Sequence, residues 1–369
     1  MSTFWPITMR SMQAILPFVS EVPMLFDSPL VARRSLLAAV CLTPLLPLPV
    51  WSRNLQPYRA RRQLLGTEIT ITVADDSQPH VAERVGQAFA EMQRLERLMS
   101  RFDPASQVSL INRSNGPVTV APELLAVLQQ ARVLSARTQG LFNPLLGRFT
   151  AQADPQGRPL PGAVARSLLQ HTQPSALALD TGKRQVRLRH PAAQLDLGGV
   201  AKLPILQAGL DKLAQSGLRG VMVNGGGDVL VTTRPDDQPW RIGIRDAHQP
   251  QRLLAVLPLQ AGVVASSGDY ERFHDVDGRR YHHIMDPATG LSTQGVNGLT
   301  MVMPTANLLN GLGTAAMVAG PEHAMQRLQQ WGVPQAVLMH ADGRVQASAA
   351  LLRQLQPAPG QTSIRGLNA

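Results

Sequence analysis

The run Val221-Met222-Val223-Asn224-Gly225-Gly226-Gly227-Asp228-Val229-Leu230-Val231-Thr232 carries the clearest statement of architecture in this 369-residue chain. Residues 221–232 have strand composition, rich in valine and interrupted by three consecutive glycines. Glycines inside a strand pattern mark a bulge, a sheet crossing or a place where another group comes close. Downstream lie three further strand runs, Trp240–Arg245, Leu253–Leu259 and 262–266, with no helical pattern between them. Upstream lies a helical pattern over 205–216, and before it a hairpin over 176–188 that turns at Thr181-Gly182. Strands come in groups, and helices fall between the groups. That order predicts an α+β fold with mixed or antiparallel sheets, not a doubly wound parallel sheet.

The rest of the chain continues the pattern. Residues 64–73 alternate around Gly66-Thr67 as a strand. Val81–Met99 and 122–138 carry apolar residues at helical spacing, and 154–162 is a Pro/Gly-rich loop. Strands are predicted over 281–285 and 299–303, and helices over 306–318 and 322–331. A closing hairpin joins 336–339 to 344–347 through Asp342-Gly343, the residue pair expected of a two-residue turn. There is no short-period repeat and no linker, so 58–357 reads as one large domain followed by a tail, 358–369.

Composition narrows the function classes. Hydrophobic residues make up 44% and charged residues 16%, enough for a core and against general disorder. Aromatics are only 4%, which argues against stacking on nucleic-acid bases. The net charge is +10, but the arginines are spread along the chain and form no long basic block. A basic yet ordinary surface explains this, and an anionic ligand such as a nucleotide fits it.

Arg33-Arg34-Ser35 precedes a short apolar run, 36–50, broken by Pro44, Pro47 and Pro49. That run is too short and too proline-rich for a spanning helix, and reads as an export signal of the twin-arginine type. Met24 is a plausible start, which makes about 24–52 the signal and 1–52 a targeting segment apart from the fold. The lone cysteine, Cys41, falls inside it. An exported protein at the periplasmic face of the inner membrane is the expectation, with membrane-surface association an option.

Three segments carry chemistry. In Asp196-Leu197-Gly198-Gly199-Val200-Ala201-Lys202, glycine backbone followed by a helix start makes an anion site from N–H groups. Lys202 adds a point charge for a phosphate, and Asp196 an acceptor for a ring or ribose edge. The alternative is a tight turn that uses glycine only for its dihedrals. Asn224–Asp228 reads as support one step behind that site. His283, in His282-His283-Ile284-Met285-Asp286-Pro287-Ala288-Thr289-Gly290, is the candidate general base, because neutral imidazole takes a hydroxyl proton near neutral pH. His282 falls on the opposite face of the strand by period-two alternation. Asn310 and Thr314, four apart on the helix predicted over 306–318, would share a face and offer oxygens to Mg²⁺, or form an ordinary polar stripe.

Together with Gly66-Thr67, Met99-Ser100-Arg101-Phe102, Ser109-Leu110-Ile111-Asn112, Phe142-Asn143-Pro144, Ser267-Gly268-Asp269 and Thr314-Ala315, these segments resemble the FAD:protein FMN transferase (ApbE) family from about Gly66 to Ala347. The resemblance implies a T-fold-like α+β domain. It implies Mg²⁺-dependent transfer of FMN from FAD to a threonine or serine of a partner protein, with release of AMP. It implies FAD contacts from Leu65, Phe102, Leu141, Phe142, Asn143, Asp196, Lys202 and Ile284, and metal contacts from the Gly199 carbonyl, Asn310 and Thr314. Proton removal falls to His283. Four positions depart from the family pattern. Asn310 and Asn143 stand where aspartates are usual, and Leu203-Pro204 replaces a glycine and an aromatic. FAD hydrolysis to FMN and AMP, or flavin binding without transfer, are the rival activities.

Overall fold

The alternating runs assemble into an eight-stranded sheet whose strands lie side by side in chain order. In this computed structural model, which describes residues 56–151, 160–271, 273–276, 279–308 and 310–367, they are β1 (Tyr58–Leu64), β2 (Thr67–Val73), β3 (Val221–Gly225), β4 (Asp228–Val231), β5 (Gly262–Gly268), β6 (Val296–Met303), β7 (Ala336–His340) and β8 (Val345–Ala347). Every neighbouring pair is antiparallel. The α+β expectation holds. The predicted targeting segment and most of the 154–162 loop lie outside the described residues.

Period two sorts the side chains of this sheet into two cores. Leu230, Val263, Ala265, Leu299, Met301 and Leu338 face the helices Val81–Met99, Pro122–Arg137 and Lys202–Gln215. Val229, Val231, Val264, Val302, Val337 and Met339 face a small sheet built from Trp240–Arg245, Leu253–Leu259 and Gln356–Pro357. The central strands are therefore apolar on both faces, which is why all four residues of β4 are buried. Asp228 shares its face with Leu230, on the helix side.

Helix Lys202–Gln215 is fixed by two glycines. A β-carbon on Gly209 would come within 2.8 Å of Met92 Cε, and one on Gly225 within 2.8 Å of Leu206 Cδ1. Both contacts need the missing side chain, so the helix packs closely against Val81–Met99 and the sheet and holds Lys202 at its first turn. Pro204 sits in that turn, where no N–H is needed for the helix ladder.

Several elements differ from the sequence reading. Residues 221–232 are a hairpin, not a single strand, turning at Gly226-Gly227 (φ 64 and 95), and 64–73 holds the end of β1, the turn at Leu65-Gly66 (φ 58 and 71) and β2 of the hairpin 58–73. The run 281–285 ends as a strand at His282, because Ile284 N–H donates to His282 Nδ1 (3.3 Å) and its carbonyl accepts from Thr293 N–H. The helix read over 306–318 begins only at Leu312, after a 3-10 turn (Ala306–Leu308) and Gly311 in the left-handed region at φ 74. Asn310 is thus ahead of the helix, and the same-face argument linking it to Thr314 does not apply. Gly311, which looked costly inside a helix, is its N-cap, where positive φ suits glycine.

Candidate active site

The turns at one end of the sheet converge. A β-carbon on Gly226, in the β3–β4 turn, would lie 2.6 Å from Thr67 Oγ1, so that turn abuts the one joining β1 to β2. Leu65, in the latter turn, is held with its N–H on Glu96 Oε1 at 2.6 Å. Beside them, Asp228 joins three elements. Its Oδ2 is 2.7 Å from Lys202 Nζ, and its Oδ1 accepts the Ser266 N–H from β5 at 3.0 Å. The glycine-rich segment therefore supports Lys202 directly.

The Asp196–Lys202 segment is shaped by its own aspartate. Asp196 Oδ1 accepts the Gly198 N–H at 2.9 Å, and its backbone N–H donates to Pro144 O at 2.8 Å. Its Oδ2 faces Arg101 Nε at 3.2 Å. The Arg101 guanidinium in turn lies 4.4 Å from the ring centre of Phe102, which is 74% exposed. A cavity of about 280 Å³ opens here, lined by Arg101, Phe102, Asn112, Arg113 and Leu195 among others. A bare apolar ring over a cation, beside an anchored carboxylate, suits one face of a planar ligand. Sequence reasoning passed over Arg101 as an individual residue. Its only signal was its place next to Phe102, because its partner is far away along the chain.

Of the three residues expected to hold metal, Thr314 packs on Gly199, and Asn310 adjoins Gly311, which also lies against Gly199. A β-carbon there would lie 3.0 Å from Thr314 Oγ1 and 3.2 Å from Phe142 Cε2. One on Gly311 would lie 3.4 Å from Gly199 O. Asn310, next to Gly311, is buried, and its Nδ2 has no hydrogen-bond partner among the described residues. The two ends of an amide are interchangeable by a flip, so this orphaned position equally presents Oδ1. Carbonyl, amide and hydroxyl oxygens are the donors that a hard cation such as Mg²⁺ takes. The donor types fit, although every one of them is neutral. Among the described residues no group of three or more His, Cys, Asp or Glu could hold a metal ion. Close behind, a β-carbon on Gly313 would collide with Ser267 Oγ, which fixes helix Leu312–Ala319 against β5.

Asn143 is committed to the scaffold. Its Nδ2 donates to Thr172 O at 3.0 Å and its Oδ1 accepts the Leu145 N–H at 2.9 Å, so it shapes the loop that carries Leu141 and Phe142. Phe142 and Ile284 are buried core residues, and Leu141 is half-buried against the same core.

The two histidines divide as alternation requires. His282 is buried, with Nε2 2.8 Å from Thr293 O, and burial lowers its pKa below the usual histidine value. His283 is exposed. The turn that follows it, 286–290, rests on Phe149, since a β-carbon on Gly290 would lie 2.6 Å from that ring. Phe149 belongs to the short helix Gly147–Ala151, whose Gly147 carbonyl accepts from Arg101 Nη1 at 3.3 Å. One small helix thus touches both the Arg101–Asp196 side and the His283 turn. Asp269, beyond the end of β5, is buried with Arg280 Nη1 at 3.8 Å, and burial raises its carboxyl above the ordinary range.

A family profile described as the ApbE family matches residues 65–338. The chain belongs to the ApbE family. It is 33% identical over 247 residues to an FAD:protein FMN transferase of Rhodobacter capsulatus, covering 65% of this chain and 47% of that one, so it spans about half of that relative. It is 30% identical over 280 residues to an FAD:protein FMN transferase of Klebsiella pneumoniae, covering 74% of this chain and 86% of the relative. The crystal structure of an ApbE protein from Thermotoga maritima superposes with a TM-score of 0.75 at 28% identity, covering 81% of this chain and 99% of that one.

The Lys202–Asp228 pair has unequal partners: the Asp228 side chain is 8% exposed and that of Lys202 27%. Lys202→Met leaves a buried carboxylate without its cation, which costs about 3 kcal/mol. Asp228→Asn leaves an ammonium that reaches water, and the amide oxygen still accepts from Ser266, at about 1 kcal/mol. Urea unfolding is therefore expected to rank Lys202→Met well below Asp228→Asn, with the double variant recovering most of the loss.

Proposed function

We propose that this chain transfers the FMN half of FAD to a threonine or serine hydroxyl of a partner protein, and that it uses Mg²⁺ and works after export. The observation that carries this reading is the convergence of Gly199, Asn310-Gly311 and Thr314 on one oxygen-lined cradle, with the helix that begins at Lys202 only three residues beyond Gly199. When bound there, held by Gly199 O, Asn310 and Thr314, magnesium would neutralise charge on the diphosphate and on the departing AMP. The chain's own residues do the rest. The backbone of Gly198-Gly199 and the Lys202 ammonium hold the diphosphate. Phe102, backed by Arg101, offers its exposed ring to the planar part of FAD. His283 accepts the proton of the acceptor hydroxyl. That oxygen bonds to the phosphorus on the FMN side, the bond from this phosphorus to the bridging oxygen breaks, and AMP leaves carrying the bridging oxygen. Orientation and charge stabilisation supply most of the acceleration.

The twin-arginine segment supports export to the periplasm, where the acceptor protein would be met at the membrane face. No described helix is itself long and apolar enough to cross a membrane. The test combines purified protein, FAD, Mg²⁺ and candidate acceptor proteins, and reads intact mass. A mass gain equal to FMN less one water on an acceptor threonine or serine, with AMP in solution, is the expected result. Free FMN and AMP with no adduct would instead make water the acceptor. The all-neutral donor set gives a second reading some support, a flavin-binding protein with weak turnover.

A further inference from the structure

We infer that Asp228 is a positioning residue for the phosphate-directed lysine: it holds the Lys202 ammonium in place for the FAD diphosphate. The inference rests on the proposed function for the identity of the ligand. Three observations carry it. Asp228 is 6% exposed, and both of its oxygens are occupied, one by Lys202 Nζ at 2.7 Å and the other by the Ser266 N–H at 3.0 Å. The carboxylate therefore cannot swing with the lysine and acts as a fixed post. The post itself is tightly located. Asp228 closes the β3–β4 hairpin opposite Gly225, the turn at Gly226 sits on Thr67, and Gly225 admits Leu206 from the lysine's own helix. The consecutive glycines thus bring the carboxylate to the start of helix Lys202–Gln215 at a separation that side chains at those positions would prevent. Finally, Lys202 needs such a post. A lysine carries four rotatable bonds and a strongly hydrated head, and pays for ordering on binding an anion unless it is ordered beforehand.

The sign of the effect makes this testable. On charge alone, removing an anion next to a phosphate site strengthens FAD binding. Removing a post weakens it. The experiment measures FAD affinity by quenching of flavin fluorescence for the wild type, D228N, K202M and the K202M/D228N double variant, with thermal melts confirming that each is folded at the assay temperature. The expected result is that D228N weakens FAD binding about tenfold, while in the K202M background the same change has no further effect. D228E, which keeps the charge but displaces it by one methylene, is expected to fall between D228N and wild type. Tighter binding by D228N, or losses that add in the double variant, overturns the inference. If K202M does not fold, the inference rests on D228N against D228E: equal affinities for these two and the wild type overturn it. The readout needs no acceptor protein. Loss of transfer in the wild type with FAD binding intact would remove the proposed reaction and leave this inference standing. A wild type that does not bind FAD would remove both.

Discussion

His283→Ala is expected to abolish FMN transfer while leaving FAD affinity close to wild type. General-base removal typically lowers a rate by about 10²–10⁴-fold. His283 is exposed, and it follows the strand Arg279–His282 without being part of its ladder. The structural load of this pair falls on His282, which is buried and hydrogen-bonded through Nε2 to Thr293 O and through Nδ1 to the Ile284 N–H. The matching control is therefore His282→Ala, which should lower thermal stability more than His283→Ala does. Single-turnover transfer, followed as AMP release with saturating FAD, checks the prediction. Full activity in His283→Ala would take the base role away from this residue. Loss of FAD binding in step with transfer would make it a binding residue instead.

Much of this arrangement was legible in the sequence, and the failures share one physical cause. Apolar periodicity marks an element but not where the chain reverses inside it. Residues 221–232 keep strand composition across their turn, so that hairpin read as one strand, and the reading of 64–73 ran the end of β1, its turn and β2 together. At Leu65 the reversal even uses a non-glycine residue at φ 58, for which composition offers no cue. Residues 306–318 failed in the opposite way. The signal was there in Gly311, but a glycine within an apolar run reads equally as a tolerated cost in a helix and as the cap at its start. The site showed the same division. Glycines at 198–199 and 225–227 announced close approach, and the structure names what approaches: Thr314 and Phe142 at Gly199, Leu206 at Gly225, Thr67 at Gly226. The charged pairs were not readable, because Arg101 with Asp196 and Lys202 with Asp228 depend on tertiary packing that no local pattern encodes. Asn143 has a scaffold role that its place in the motif did not reveal. The resemblance placed an FAD contact there by position, and the structure shows the side-chain amide bonded to Thr172 O and the Leu145 N–H in the loop that holds Phe142.

The second large effect is expected from Asn310→Asp, and it is a gain. The cradle at Gly199 offers a carbonyl, an amide and a hydroxyl, and the nearby carboxylates are engaged elsewhere, Asp196 with Arg101 and Asp228 with Lys202. A dication held by neutral oxygens alone owes its attraction mainly to the diphosphate that arrives with the substrate. In an effective dielectric of about 20, one added negative charge at about 4 Å attracts a dication by roughly 8 kcal/mol. Desolvating a buried carboxylate offsets most of this. A remainder of about 1.4–2.8 kcal/mol corresponds to roughly 10–100-fold in Kd. The burial of Asn310 and its orphaned amide leave room for an isosteric carboxylate without repacking. Mn²⁺ titrations followed by paramagnetic resonance, with and without FAD, separate the cases. Wild type should bind the ion weakly alone and more tightly with FAD, whereas Asn310→Asp should bind it in both conditions and so show a smaller dependence on FAD. If turnover rises together with metal affinity, a neutral residue at this position is what holds the enzyme back. If the ion binds both proteins equally, with and without FAD, Asn310 does not face the metal, and the cradle at Gly199 must be completed by a different residue.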